Sequence, residues 1–66
     1  MIELKRYEKE HHNGFAIIMA DININYDDFI LFDVWIYTED YDFITSLTFS
    51  YYKYAVEWCW QNGYVC

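Results

Sequence analysis

Two cysteines and two histidines are the residues of this sequence with the strongest metal-binding chemistry. Cys59 and Cys66 lie seven positions apart, and His11 and His12 are adjacent. Structural zinc sites usually take their ligands in close pairs such as C-x₂₋₄-C, and a C-x₆-C spacing falls outside that pattern. Adjacent histidines in a strand or turn also point in different directions. We therefore expect no metal site and two free thiols, with a disulfide as the alternative.

Covalent catalysis has little support in the residue pattern. A cysteine nucleophile needs an oriented base and an electropositive setting, whereas the middle of this chain is acidic. Ser46, Thr48 and Ser50 have no nearby histidine, and two glycines cannot build a phosphate-binding loop. The acidic pairs Asp27-Asp28 and Glu39-Asp40 fall in predicted turns, where carboxylates are ordinarily solvated. We predict a protein that is not an enzyme and that uses no cofactor.

The distribution of charge gives the clearest functional signal. The formal net charge is −7, and in residues 1–10 three acids balance three bases. Residues 13–52 contain no lysine or arginine, and their acids are Asp21, Asp27, Asp28, Asp33, Glu39, Asp40 and Asp42. A surface of one sign repels nucleic acid and attracts a basic partner, with a strength that salt reduces. The acidic segment is therefore the candidate binding region.

Aromatic residues are too numerous for the interior of a chain this short. Folding removes roughly 7,400 Å² of surface, and sixteen aromatic side chains would claim about 3,200 Å² of it. Some aromatic side chains must therefore stay at the surface. In FDVWIYTEDYDF they alternate with acids, a composition that can supply the desolvated contacts of an interface. The predicted partner-binding residues are Asp21, Asp33, Trp35, Tyr37, Glu39, Asp40, Tyr41 and Asp42.

Alternating apolar residues predict the strands that position this region. Residues 2–9 form a first strand, and Asn13-Gly14 is typical of a type I′ hairpin turn. In FAIIMADINI the even positions from 16 to 24 are apolar, and in FILFDVWIY the even positions from 30 to 36 are apolar. Each of these two strands is therefore expected to bury one face. Polar residues predict turns at NINYDD and TEDYD.

The last third of the chain predicts a helix. FITSLTF fits both a strand and a helix by its spacing, and we favour a short fourth strand through about residue 48. The helix is expected from Ser50, as N-cap, to Gln61, with Asn62-Gly63 as its stop. Its predicted sheet-facing stripe is Tyr52, Ala55, Val56 and Cys59, and its predicted solvent-facing residues are Lys53, Glu57 and Gln61. Cys66 is expected on a short extension after the helix.

These elements predict one compact α+β domain over residues 1–66. A small antiparallel sheet of three to four strands carries the C-terminal helix on one face. Trp35, Tyr37 and the acids are expected on the uncovered face. No apolar run is long enough to span a bilayer, and the first residues lack the apolar core of a signal peptide. We therefore expect a cytoplasmic protein.

In size, acidity and content of Ile, Asn, Tyr and Asp, the chain resembles the small phage-encoded inhibitors, such as anti-CRISPR and anti-restriction proteins. Some of those proteins imitate the charge of nucleic acid. The resemblance implies a non-enzymatic inhibitor that evades host defence by occupying a basic nucleic-acid-binding surface of a host enzyme. Direct binding to nucleic acid or to a membrane is not expected. The alternative is a homodimeric structural or regulatory subunit that uses an exposed aromatic face, and a metal-binding enzyme is a third hypothesis.

Overall fold

Five strands and one helix make up the described chain. A computed structural model describes residues 2–9, 14–22 and 30–65, with the side chain of Ile22 left out. The elements are β1 (Ile2–Lys9), β2 (Gly14–Ile22), β3 (Ile30–Thr38), β4 (Phe43–Phe49), α1 (Tyr52–Gln61) and β5 (Tyr64–Val65). Several predicted features lie outside the described residues, namely His11, His12, Asn13, Ile24, Cys66 and the turn at residues 23–28.

The strands form one antiparallel sheet in the order β4-β3-β2-β1-β5. The first four strands are a meander of successive neighbours. The chain then leaves β4 at one edge, passes through α1 over the sheet, and adds β5 at the far edge. The α+β class and the position of the helix are confirmed, but the expected count of three to four strands is too low. A two-residue strand such as β5 is too short to show an alternating pattern.

Gly14 begins β2 in a conformation that favours glycine, with φ of 151°. It is paired with Thr38 on β3. A Cβ atom at this position would collide with the carbonyl oxygen of Tyr37. The glycine therefore permits the close approach of β2 and β3 at this end of the sheet.

One face of the sheet packs against α1 and forms the core. Its largest fully buried side chains are Ile18, Val34 and Cys59, from β2, β3 and α1. The buried cluster consists of Tyr7, Ala16, Ile18, Val34, Ile36, Ala55, Cys59 and Tyr64. The face predicted for β2 and β3 is confirmed here, because the residues that both strands contribute to this cluster come from the even positions. Phe15 and Ile17, at odd positions of β2, are buried as well, on the other face. At FITSLTF the preferred assignment to a strand is also confirmed.

The helix begins later than predicted. Ser50 is a bend after β4, and the N-cap is Tyr51, whose backbone is extended and whose side chain makes no capping hydrogen bond. The carbonyl of Tyr51 accepts the first helical hydrogen bonds, from the N–H groups of Tyr54 and Ala55. The prediction of Ser50 as N-cap is therefore wrong, because β4 continues to Phe49 and delays the helix.

The remaining predictions for α1 agree with the structure except at Tyr52, which was expected in the sheet-facing stripe but is 39 % exposed, although its ring meets Phe32. Ala55 and Cys59 are fully buried, and Val56 packs against the core. The three residues expected to face solvent are exposed: Lys53, Glu57 and Gln61. Asn62 follows the helix, its side-chain amide donates to the carbonyl of Trp58 at 2.8 Å, and Gly63 has φ of 85°. The described residues contain no helix with both the length and the apolar character needed to cross a membrane.

Candidate functional site

The sheet face opposite α1, called here the open face, is built from cross-strand rows of side chains. The register between neighbouring strands places residues of each row side by side. From β4 towards β1, the first row is Phe43, Tyr37, Phe15 and Glu8, the second is Ser46, Trp35, Ile17 and Arg6, and the third is Thr48, Asp33, Met19 and Glu3. Leu31 and Asp21 follow as a short fourth row. Along the open face, the strand residues therefore change from mainly aromatic near the β3–β4 turn to polar and acidic at the other end.

Aromatic rings at the first two rows form one connected group, called here the aromatic cluster: Phe15, Trp35, Tyr37, Tyr41 and Phe43. Phe15 stacks on Tyr37 at 5.1 Å between ring centroids and meets Tyr41 edge to face at 4.8 Å. Phe43 contacts both Tyr37 and Trp35, at 5.8 and 5.9 Å. Such pairs stabilise by about 0.5–1.5 kcal/mol beyond the area that they bury. The cluster is thus an ordered apolar platform on a face that has no covering element among the described residues.

Tyr41 extends the aromatic cluster from the turn between β3 and β4. The Tyr41 N–H donates to the Thr38 carbonyl at 3.0 Å, and the Thr38 hydroxyl accepts from the N–H groups of Asp40 and Asp42. Tyr41 itself has φ of 69°, the left-handed conformation that glycine usually supplies in a three-residue hairpin loop. Its side chain is 67 % exposed although its ring meets Phe15. The turn therefore presents an aromatic ring at the rim of the open face.

An open depression lies beside this ring, at the junction of β1, β2 and the β3–β4 turn. Its volume is about 180 Å³, and it is lined by Arg6, Glu8, Gly14, Phe15, Glu39 and Tyr41. The guanidinium carbon of Arg6 lies 5.4 Å from the centroid of the Phe15 ring. Two carboxylates, one guanidinium and two aromatic rings thus surround a space large enough for the end of one side chain from another molecule.

Charged side chains are divided between the two sides of the sheet. Lys5 is in register with Ile18 on the helix side, Lys9 lies over the Tyr64 ring, and Lys53 is on α1. Among the described residues, the only basic side chain on the open face is Arg6. The acids of the open face and the adjoining turn are Glu3, Glu8, Asp21, Asp33, Glu39, Asp40 and Asp42. The fold therefore keeps the described lysines apart from the acids of the open face, and adds one arginine to those acids.

Two polar contacts order parts of the acidic end. Arg6 Nη2 donates to Glu3 Oε1 at 3.0 Å, and this hydrogen bond together with the Glu3 charge raises the pKa of Arg6. Asp33 Oδ1 accepts a hydrogen bond from the Thr48 hydroxyl at 2.9 Å, which joins β3 to β4. The Arg6–Glu3 ion pair is exposed, and such pairs contribute little to stability. Their effect here is to fix where the charges lie.

Cys59 is remote from the open face, because it is fully buried on the sheet-facing side of α1. Burial raises the pKa of its thiol to about 11, so the thiol is protonated at neutral pH and a poor nucleophile. Within residues 2–9, 14–22 and 30–65 no three histidine, cysteine, aspartate or glutamate side chains gather to hold a metal ion. Three of the four residues weighed as zinc ligands, His11, His12 and Cys66, lie outside those ranges.

The eight residues predicted to bind a partner lie on one connected surface. Asp21, Asp33, Trp35 and Tyr37 share the open face by register. The other four, Glu39, Asp40, Tyr41 and Asp42, lie in or directly beside the turn at its end. The structure thus brings these residues together, while their role in binding stays a prediction.

Sequence reasoning missed Phe15, Arg6 and Phe43 on this surface. In β2 the odd positions from Phe15 to Met19 are apolar as well as the even ones, so the strand is apolar on both faces there. That pattern predicts a strand covered on two sides. Arg6 carried no such signal, because only the pairing of β1 with β2 places it beside the acidic segment.

No family model, curated protein or solved structure matches this chain. Charge, aromatic content and the geometry of the open face are therefore the features that bear on function.

Proposed function

We propose that this protein is a small non-enzymatic inhibitor that binds, through its open face, a basic nucleic-acid-binding surface of a host enzyme or defence complex. The observation that carries the proposal is the separation of charge across the sheet. Seven acids and one arginine lie on or beside the open face, and the described lysines lie on the other side. The electrostatic field of a basic surface therefore orients the molecule before contact, so that its open face is turned towards that surface.

The aromatic cluster supplies what charge alone does not. Acidic residues flank it at both ends, with Glu39 in the turn and Asp33 and Asp21 towards the far end of β2 and β3. Protein interfaces often place aromatic contacts at the centre of a polar rim that excludes water. In this proposal Trp35, Tyr37 and Tyr41 make the desolvated contacts, and the acids provide steering and ion pairs to the lysines and arginines that normally hold phosphate groups.

A phage or mobile-element origin, action in the cytoplasm of the host cell and evasion of host defence are parts of the same proposal. They rest on the compositional resemblance to anti-CRISPR and anti-restriction proteins. Imitation of nucleic-acid charge is the mechanism that the open face supports, because it competes for the same basic cleft that binds DNA or RNA.

The second candidate is a homodimeric structural or regulatory subunit. Its support is the apolar surface left exposed on and beside the open face, including Tyr41 and Phe43. The homodimer has less support at the centre of the open face, where the sequence suggested exposed aromatic surface. Phe15 and Ile17 are each only 8 % exposed within a single chain, so a partner is not needed to cover them.

The experiment that tests the proposed function compares two charge reversals of equal size. Glu39→Lys changes the rim of the open face and Glu57→Lys changes the exposed side of α1. Each replaces one negative charge by one positive charge, so both change the net charge equally. Tagged wild-type protein and both variants are used to capture partners from nuclease-treated bacterial lysate, with elution along a salt gradient. We expect the wild type and Glu57→Lys to retain a nucleic-acid enzyme that salt releases, and Glu39→Lys to retain about tenfold less.

The captured enzyme is then tested for displacement of its DNA or RNA by the purified protein. Displacement by the wild type and by Glu57→Lys, but not by Glu39→Lys, is the expected result. An equal loss of displacement in Glu39→Lys and Glu57→Lys would show that net charge alone matters. It would contradict a defined docking face. Retention of a partner that does not bind nucleic acid would contradict the proposed target.

A further inference from the structure

The two edges of the sheet differ in their protection against pairing with another strand. β5 covers β1 only at Glu8 and Lys9. The rest of the β1 edge carries the charged residues Glu3, Lys5 and Arg6, and its register shifts between Glu3 and Lys5. Charges and bulges on an edge strand are the features by which natural sheets prevent such pairing.

The opposite edge, β4, lacks these features along most of its length. Its seven residues, FITSLTF, include no charge and no proline. Its register with β3 is regular from Thr45 to Phe49, and the shift occurs only at the Phe43 end. At about 3.4 Å per residue, β4 offers roughly 24 Å of edge backbone. Phe43 and Ile44 on this strand are each 57 % exposed.

We propose that a second copy of this chain pairs with β4 along this edge, antiparallel and about a two-fold axis. The pairing continues the sheet from one copy into the other and satisfies the outward backbone groups of both β4 strands. It is distinct from the dimer suggested by composition, which would stack two open faces. It also stands without the proposed function, because it depends on the backbone edge of β4 and shares only Phe43 with the aromatic cluster.

Charge identifies a second copy, rather than a basic protein, as the occupant of this edge. Two chains of net charge −7 repel each other wherever their acids approach. Of the described strands longer than two residues, β4 alone carries no charged side chain. It is therefore where two copies approach at the lowest electrostatic cost. A basic partner would instead be attracted to the acids of the open face.

The two-fold arrangement is compatible with the side chains of β4. When the axis is perpendicular to the sheet, each face of one copy continues into the same face of the other. Leu47 and Phe49, in register with Val34 and Phe32, then continue the helix side across the junction. Ser46 and Thr48 continue the open face. Both open faces consequently point in one direction and remain accessible.

The test is the oligomeric state of the purified full chain, measured by sedimentation velocity from micromolar to near-millimolar concentration. We expect the wild type to sediment at twice the chain mass of 8.2 kDa. Added sodium chloride is expected to strengthen the association, because it screens repulsion between two acidic chains. Salt would weaken binding to a basic protein, so the two interactions are distinguishable in the same preparation.

Three lysine substitutions with equal change in charge locate the interface. Ser46→Lys and Thr45→Lys place a charge on β4, on the open-face and helix-side surfaces respectively, and Gln61→Lys places one on exposed α1. We expect both β4 variants to be monomeric and Gln61→Lys to remain dimeric. Each variant makes the negative net charge of the chain smaller, so dissociation cannot result from greater overall repulsion between two copies. Far-ultraviolet circular dichroism verifies that each variant is folded.

Three results would overturn the inference. The first is a monomeric wild type at every concentration. The second is a dimer that Ser46→Lys disrupts and Thr45→Lys does not, which would indicate stacked open faces. The third is an open-ended series of larger assemblies, since a two-fold pair uses the β4 edge of each copy and leaves only the protected β1 and β5 edges at its ends. Intermolecular nuclear Overhauser effects between β4 protons, recorded on mixed labelled and unlabelled wild type, test the same pairing if the β4 variants do not fold.

Discussion

Tyr41 occupies a backbone conformation that residues other than glycine, asparagine and aspartate rarely adopt. The cost of the left-handed conformation is about 1 kcal/mol for a residue with a Cβ atom. Its ring contact with Phe15 offsets part of this cost. A tyrosine where glycine is the usual residue places an aromatic side chain at the rim of the open face, at the expense of the stability of the turn.

Two substitutions separate the backbone cost from the ring contact. Tyr41→Ala loses the contact with Phe15 and keeps the unfavourable conformation, whereas Tyr41→Gly loses the contact and relieves the conformation. We expect Tyr41→Ala to be less stable than Tyr41→Gly by about 1 kcal/mol in urea-induced unfolding. Equal stability of the two variants would show that the turn relaxes to another conformation. Both should reduce partner binding to a similar extent if the ring makes the contact.

The buried thiol of Cys59 predicts a dependence of stability on alkaline pH. Its pKa rises from an ordinary 9.0 to about 11 on folding, because burial disfavours the thiolate. Between these values the unfolded chain releases a proton that the folded chain retains, so stability falls as pH rises from about 9 to 11. Burial also raises the pKa of Tyr64, which acts in the same direction.

Replacement of the thiol should reduce this dependence. Cys59→Ala removes the titrating group, and we expect its loss of stability between pH 8.5 and pH 10.5 to be smaller than that of the wild type by about 1–2 kcal/mol. Urea unfolding at both pH values measures the difference. The comparison is made within each protein, so the cavity left by the smaller side chain cancels. An equal loss of stability in Cys59→Ala and the wild type would show that Cys59 does not titrate in this range.

At the scale of elements, the turn from α1 into β5 depends on Gly63. Its φ of 85° is unfavourable for any residue with a Cβ atom, yet a Cβ atom there would meet no other atom within 4 Å. Gly63→Ala should therefore destabilise the protein by about 1 kcal/mol through the backbone alone. Gln61→Ala, on exposed α1, is the control and should change stability little. Thermal unfolding of both variants checks the prediction, and a neutral Gly63→Ala would contradict it.

The elements that could be predicted from the sequence are those with a periodic pattern long enough to report burial. β2 and β3 are nine residues long each, and the residues that they contribute to the core beneath α1 occupy even positions as expected. β5 was missed because two residues define no period. The helix start was misplaced because a local capping preference at Ser50 gave way to the pairing of β4 with β3.

The candidate site was predictable only in part, for a related reason. Acids and aromatics that are close in sequence, from Asp33 to Asp42, lie in one hairpin and so remained close in the fold. Glu3, Arg6 and Phe15 join them through strand pairing, which a single sequence does not specify. The separation of the lysines from the acids likewise depends on which face each position of β1 occupies.

At the scale of the whole molecule, the core is thin. Ile18, Val34 and Cys59 are its largest fully buried side chains. A chain of 66 residues is expected to have a free energy of unfolding of roughly 3–10 kcal/mol. One large cavity would therefore remove a considerable fraction of the total stability.

Substitutions at Ile18 measure this margin. Ile18→Val should cost about 1 kcal/mol and Ile18→Ala about 2–5 kcal/mol, enough to leave a substantial unfolded population near the upper value. Ile30→Ala, at a half-exposed position of β3, is the control and should cost much less. Denaturant unfolding monitored by tryptophan fluorescence gives all three values. Similar costs at Ile18 and Ile30 would contradict the assignment of the core to the helix side.

The path of the chain from β4, through α1, to β5 at the far edge has a consequence for the order of folding. Among β1 to β4, every pairing joins strands that are neighbours in sequence. By contrast, β5 must return to β1, where Val65 pairs with Glu8. Loops that close over a long separation in sequence form late, because their entropy is lost before their contacts are gained. In pulsed hydrogen-exchange labelling during refolding, we expect amides of β2 and β3 to become protected before those of β5. The meander would then exist briefly with the β1 edge uncovered, and the C-terminal strand would complete the sheet last.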